Sequence, residues 1–442
     1  MIFQALGLLA PLLLAPAAAS PSPESPSVAR AAEPPAAVAQ QRNRLALISD
    51  RSDLLVLNDG KEIECRVTME GKDVVLVRVG KSRKTKEYKR SDIKEIYTIE
   101  RSLREFFARY DAERGNGIEA LANLAEFCEE RSLNGEAQNL WVRILLADPE
   151  NEQAWTKLGG VYNKRRGWRL KVRGRFYTLE QLKERAADWK NAMFFSTAHF
   201  VVKSDLEPTQ VLDVCFNLER AYLAYYSILT QSVDLQQFDF IPEVHIPKDE
   251  KNYSRPKIQG DNAWFDPGQN TLFVDGSKDD IAREAVFHLT QLLVDNSFRR
   301  PNAGGIGQIA PWAERAISDA FAGAVQVDDG IAKWEFGEPL MDYFQYHATH
   351  DKPLTIKRLL GAGRMEFRNP PLAELHRAQA YTLIHFLAYE DKGKYQDGLT
   401  AYLQSSINGK FAATHLAKAL GVKKLDELEE RWLQYVKEIA GV

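Results

Sequence analysis

REAVFHLTQLLV, residues 283–294, reads as the middle of a helix over 279–295. Its polar residues Glu284, His288 and Gln291 fall at i, i+4 and i+7, so they share one face of that helix, and Asp295 extends the row. The chain around it has an ordered pattern. Downstream, a loop holding Gly304-Gly305-Ile306-Gly307 leads to a second helix over 311–325 that opens Pro311-Trp312-Ala313-Glu314-Arg315, and helices continue to the end. Upstream, Trp264-Phe265 and Thr271–Val274 flank Asp266-Pro267-Gly268 as a hairpin. Before it come a strand at Val244-His245-Ile246, a helix over 208–230 with Leu212, Cys215, Leu218, Ala221, Tyr222 and Tyr225 on one side, and a strand over Ser196–Lys203. This order predicts an α+β unit over 192–442, with a small sheet first and a helical subdomain after it.

Strand, long helix, strands, the hairpin "WFDP…NTLFV" and the helix REAVFHLTQLLV together resemble the gluzincin zinc-peptidase fold, in particular a family of exported bacterial peptidase-like proteins. In that family the helix carries H-E-x-x-H, often followed by Q-L-L, and the next helix reads P-x-W-x-x-E-G-L-A or P-W-x-x-E-G-L-A. The segments AQAYTLIHFLAYEDKGKYQDGLTAYL and LGVKKLDELEERWLQYV are similar to the family's helical subdomain, so the resemblance spans most of 192–442. It implies a zincin-like domain. There, two histidines one turn apart bind zinc, the adjacent glutamate polarises the metal-bound water, and a glutamate from the next helix completes the tetrahedron.

The chemistry departs from that pattern. Anchoring the motif on Gln291-Leu292-Leu293 puts Val286 and Thr290 at the two histidine positions and Phe287 at the glutamate. Taking His288 as the first ligand puts Leu289 at the base and Leu292 at the second ligand. Taking it as the second ligand makes Glu284 the first and Ala285 the base. The glutamate of the next helix falls on Arg315, with Glu314 one residue early and so rotated by about 100°. Valine and phenylalanine cannot ligate zinc, and a cationic Arg315 repels it. The expectation is therefore no catalytic residue and no resident metal or cofactor. The fallback is a noncanonical zinc site from Glu284, His288 and Glu314.

Of the other histidines, His347 and His350 form an i, i+3 pair that could hold a metal, but the preferred reading is the plainer one. His347 and His350 read as exposed residues near a helix end, His385 as a core histidine among Leu383, Ile384, Phe386 and Leu387, and His199 and His245 as strand residues without an acidic neighbour at ligand spacing. The Gly304–Gly307 run does not sit between a strand and a helix with a distal acid, so it is no dinucleotide fingerprint. No G-x-S-x-G elbow occurs.

The N-terminal half divides by composition. MIFQALGLLAPLLLAPAAA, residues 1–19, predicts a signal peptide: it is apolar, too short to span a bilayer comfortably, and ends on small residues, though no Lys or Arg precedes it. Residues 20–49 form a Pro/Ala-rich linker. Over 50–98 the period is two, with Ile63, Cys65, Val67 and Met69 alternating with polar residues, Val74–Val79 as a second strand and Ser91–Ile96 as the closing one. This predicts a small SH3-like or Sm-like barrel. Its basic run Lys81–Arg90 reads as a solvated hairpin edge in preference to an anion contact. Over 100–166, Leu121, Leu124, Ala125, Ala137, Trp141 and Pro149 sit at tetratricopeptide key positions. The 34-residue period reaches Trp155, Leu158, Gly159 and Tyr162, giving one and a half repeats that dock on a neighbouring domain. Residues 167–191 hold a hairpin around Arg173-Gly174 and a helix from the Thr178-x-x-Gln181 capping box through Trp189.

Composition limits the function classes. The chain has 442 residues, a net charge of −3 and three widely spaced cysteines, Cys65, Cys128 and Cys215. That excludes a whole-chain basic field for nucleic acid, a disulfide scaffold and a cysteine zinc knuckle. The combined expectation is an exported, periplasmic or extracellular protein with no transmembrane helix in its mature form. It is read as a pseudopeptidase that binds a peptide or protein. The alternatives are an active zinc peptidase with the noncanonical ligand set, and an adaptor whose barrel and repeat carry partner binding.

Overall fold

The computed structural model describes residues 53–442 except 72, 80–84, 114, 230–232, 234, 236–240, 254–262, 267–269, 299–308, 327–339, 369–370 and 408. The leader, the linker, Lys81–Lys84, the 267–268 turn and the Gly304–Gly307 loop lie outside the described residues. Among the described residues the architecture is mixed α+β with three small sheets. Among the described residues no helix is long and apolar enough to cross a membrane.

The first sheet comprises β1 (Asp53–Leu57), β2 (Glu62–Glu70), β3 (Val74–Arg78), β4 (Thr85–Lys89) and β5 (Ile93–Tyr97). They pair antiparallel in the order β4-β3-β2-β1-β5. Alternation buries Leu55, Cys65, Val67, Val75, Val77, Ile93 and Ile96 in a core of their own. A bulge between Val67 and Met69 breaks the period, so Thr68 is buried beside them. β4 is an edge strand whose Lys86 and Lys89 are exposed, which blunts the edge against further pairing.

Four helices follow: α1 (Ile99–Glu113), α2 (Gly117–Glu130), α3 (Asn134–Ala147) and α4 (Glu152–Lys157). Leu124, Ala125, Ala137 and Trp141 form the buried seam of the α2–α3 pair. The half repeat does not continue as a helix. α4 ends at Lys157, the Gly160 N–H turns back to donate to the Trp155 carbonyl at 2.6 Å, and Tyr162 lands exposed on a strand. That strand, β6 (Val161–Asn163), pairs with β7 (Gly167–Val172), which pairs with β8 (Arg175–Tyr177). Trp155 stacks on Trp168 of β7 with ring centroids 6.0 Å apart and 7° between planes, so the sheet occupies the place of the next helix. The β7–β8 turn has φ of +48° at Arg173 and +83° at Gly174, the left-handed pair a two-residue hairpin needs. Thr178 and Gln181 form the expected capping box on α5 (Leu179–Ala186), but the helix stops at Ala186 and Trp189 opens a 3₁₀ turn whose cap is Asp188.

The third sheet is β9 (Met193–Ser196), β10 (Val201–Ser204), β11 (Glu243–Ile246), β12 (Ala263–Asp266) and β13 (Thr271–Val274), in the order β12-β13-β11-β10-β9. Its three inner strands are parallel and both edge strands antiparallel. α6 (Pro208–Leu229) is the crossover from β10 to β11 and packs on the sheet, as its apolar side predicts. α7 (Ile281–Ser297) lies against α6, β12 and β13, and α8 (Pro311–Gln326) lies against α7. The rest is helical: α9 (Met341–Thr349), α10 (Ile356–Leu360), α11 (Ala373–Tyr389), α12 (Gln396–Ser406), α13 (Ala413–Ala419) and α14 (Asp426–Ala440). One hydrophobic core runs from the sheet through these helices, and the α2–α3 core joins it through Phe216 and Leu223 of α6. The close approach of α3 to β9 requires Gly135, where a Cβ would meet the Ser196 carbonyl oxygen at 2.5 Å.

The expected strand over Ser196–Lys203 is instead a hairpin, and a buried acid explains the bend. Glu219 of α6 accepts from the Thr197 hydroxyl at 2.5 Å and the His199 N–H at 2.6 Å, and its second oxygen meets His199 Nδ1 at 2.7 Å. His199 Nε2 lies 3.4 Å from Glu100 of α1, and the ring stacks on Tyr222 at 3.8 Å. Burial opposes charge on this imidazole, but Glu219 and Glu100 outweigh it and push the ring up to about 9. So His199 has acidic neighbours after all, at distances in sequence that spacing does not reveal. His245 pairs with Glu243 two residues away on the same strand face, at 2.5 Å.

The three cysteines are free and buried, and burial raises all three thiols above their usual range, which disfavours the thiolate form.

Candidate functional site

α7 meets α8 along a line that splits its residues into two sets. Ala285, Val286, Leu289, Thr290 and Leu293 are fully buried, and the Thr290 hydroxyl donates back to the Val286 carbonyl at 2.8 Å. Glu284, Phe287 and His288 line a cavity of 380 Å³ instead. Its other walls come from α8 (Arg315, Asp319), α9 (Asp342, Tyr343, Tyr346) and α11 (Glu374, Arg377). Of the four motif-equivalent positions read from the sequence, Phe287 and Arg315 meet in this cleft, while Val286 and Thr290 face the core.

Arg315 organises the floor. Its guanidinium carbon sits 4.1 Å from the Phe287 ring centroid, and its Nε is 3.2 Å from Asp319 Oδ2, one turn along α8. Asp319 Oδ1 accepts from Arg377 Nη2 at 2.8 Å and from the Tyr343 hydroxyl at 3.0 Å. Arg377 Nη2 also reaches the Tyr343 oxygen at 2.9 Å. Burial alone would raise the Asp319 carboxyl, but Arg315 and Arg377 outweigh it and hold it below the usual range. Burial lowers the Arg315 guanidinium, with Asp319 opposing, and raises the Tyr343 phenol.

The fallback ligand set does not converge. Glu284 and His288 line the cleft 3.8 Å apart. Glu314 points elsewhere, to Arg364 at 2.7 Å, beside the Arg364–Asp295 pair at 2.8 Å. Burial, then Asp295, pushes the Glu314 carboxyl up to about 7 against the pull of Arg364. Among the described residues no three His, Cys, Asp or Glu side chains form a group that could hold a metal. At the two motif-equivalent positions that reach the cleft, Phe287 has no lone pair to offer zinc and Arg315 brings positive charge.

His288 is buried and stays neutral. Burial, followed by Arg315, pushes its ring down to about 3 despite a hydrogen bond that the ring donates to Gln291. His347 is not exposed as its place near a helix end suggested. It is buried, with Nδ1 2.9 Å from the Thr382 hydroxyl and Nε2 3.1 Å from Gln379. Burial lowers it to about 3, and lowers His385, which meets the Tyr435 hydroxyl at 2.8 Å, to about 4.

These three rings bind protons more readily unfolded than folded, so the stability they confer is full above their unfolded value of about 6.5 and is lost as pH falls from there toward 3–4. Glu314 and Asp53, both raised to about 7 chiefly by burial, work the other way below that value, as two groups against three. The urea midpoint is expected to fall steadily from pH 6.5 to pH 4.5, and to fall less in His347→Gln. A midpoint that rises over that interval would contradict this account.

Asp319, Tyr343 and Arg377 were not singled out in the sequence. The Arg315–Asp319 spacing of one helical turn was a readable signal. Tyr343 and Arg377 join from other helices, and nothing local announces them. No protein-family model matches the chain, and no curated protein matches it.

Proposed function

We propose that this chain is a gluzincin-like protein whose zinc cradle has become a salt-bridged binding cleft, and that it binds peptide or protein in the cell envelope without hydrolysing it. The observation that carries the reading is the Arg315–Asp319 pair stacked on Phe287. If the face of α7 that meets Arg315 is taken as the ligand face, Phe287, His288 and Gln291 stand at the H, E and H positions, one residue later than the register anchored on Gln291-Leu292-Leu293. Arg315 then stands at the position of the third ligand. Phe287 removes a lone pair and Arg315 adds a cation where two zinc ligands would be, and His288 stands where the glutamate that acts on the metal's water would be. The mixed sheet with an antiparallel edge strand beside α7 is consistent with the same ancestry. What remains is a cleft with polar, charged walls and aromatic sides, the lining of a site that orients a ligand.

Metal analysis and a protease assay on the purified protein test this. Substoichiometric zinc and no cleavage of casein, with or without 1,10-phenanthroline, are expected. One zinc per chain with chelator-sensitive cleavage would sink the reading.

A further inference from the structure

The cleft floor holds more guanidinium donors than the protein itself uses. Arg315 spends Nε on Asp319, and among the described residues its Nη1 and Nη2 meet no hydrogen-bond acceptor. Arg377 spends Nη2 on Asp319 and Tyr343, its Nε is buried without a partner, and its Nη1 meets none among the described residues. Both residues line the cavity. Arg315 and Arg377 share Asp319, and Glu284 acts on Arg377 from the same cavity, so the floor is balanced in charge and offers a ligand the unspent N–H groups of its two arginines. The open Nη groups reach the solvent of the cavity, and a carboxylate can replace water on them in the planar, two-point geometry that arginine favours.

We infer that the cleft takes the free C-terminal carboxylate of a peptide, seated on the open N–H groups of Arg315 and Arg377. The inference rests on the peptide-binding reading above and specifies its ligand. The rim argues against a polyanion. Asp342 and Glu374 at the mouth are exposed carboxylates, and they would repel a nucleic acid or a multiply acidic chain while a single carboxylate reaches the floor. The Phe287 ring and the Tyr343 and Tyr346 side chains give the terminal residue an aromatic wall. A volume of 380 Å³ suits two or three residues of chain and not a folded partner.

The test uses the full chain, immobilised, and two pools of N-acetylated tripeptides with randomised residues, one ending in the free acid and one in the amide. Retained peptides are counted by mass spectrometry. The acids are expected to be retained at least ~10-fold over the amides, the floor for losing a hydrogen bond to a charged group. Arg315→Gln and Arg377→Gln should each lower acid retention by at least ~10-fold. Arg377→Gln leaves the Arg315–Asp319 pair intact, so it carries the test if the other variant fails to fold. If neither folds, the acid-to-amide ratio of the native protein decides alone. Equal retention of acids and amides overturns this inference and leaves the peptide-binding reading standing, and so does undiminished retention by a folded Arg377→Gln. Retention of neither pool overturns both.

Discussion

Asp319→Ala is expected to destabilise the protein by about 3–5 kcal/mol, the range for removing one partner of a buried ion pair. Asp319 is 1% exposed and is the common acceptor of Arg315, Arg377 and Tyr343. Removing it leaves two guanidinium groups confronting each other in a partly dry cleft, with Arg315 packed on Phe287 and little room to swing into water. The order of effects is part of the expectation. Arg315→Met should cost less, because Asp319 keeps Arg377 and Tyr343, and methionine can pack on Phe287. Urea unfolding at pH 7, followed by far-UV circular dichroism, measures both. A loss below about 1 kcal/mol for Asp319→Ala would mean that the network behaves as an exposed one and that the cleft is open to water.

A loss of similar size, about 3–5 kcal/mol, is expected for His199→Ala at the junction of α1, α6 and the β9–β10 turn. There the imidazolium is the cation between two buried acids, Glu219 at 0% exposure and Glu100. Alanine leaves both carboxylates without it and removes the ring that stacks on Tyr222. The pH dependence has a definite sign. A ring held at about 9 when folded, against about 6.5 unfolded, contributes its full stability below about 6.5 and loses it as pH rises toward 9. The native protein should therefore weaken between pH 6.5 and 9, and His199→Ala should show a flatter profile there. An equal slope in both proteins would show that His199 is neutral in the folded state.

The two clusters also explain why the candidate site was only partly legible. Helix extents followed from local signals. Periodicity marked α6, α7 and α8 to within about two residues, Thr178 and Gln181 marked the start of α5, and Arg173-Gly174 marked the β7–β8 turn. The identity of the cleft floor did not follow. One step along α7 turns a side chain by about 100°, and only the packed structure shows that Phe287 lines the cleft while Val286 and Thr290 face the core. The tetratricopeptide spacing was equally persuasive as far as Trp155, but the Trp168 ring from β7 took the place a second helix would have filled.

Amino-acid order alone set the elements whose causes lie within one turn of chain: caps, tight turns, and the apolar stripes that bury a helix. The tertiary structure decided which rows of those helices confront one another, and hence that Arg315 meets Asp319, Phe287 and Arg377, and that His199 meets Glu219 and Glu100. Partners as far apart as Asp319 and Arg377 are selected by packing, because the rotation of each helix about its axis is fixed by the whole core and not by its own sequence.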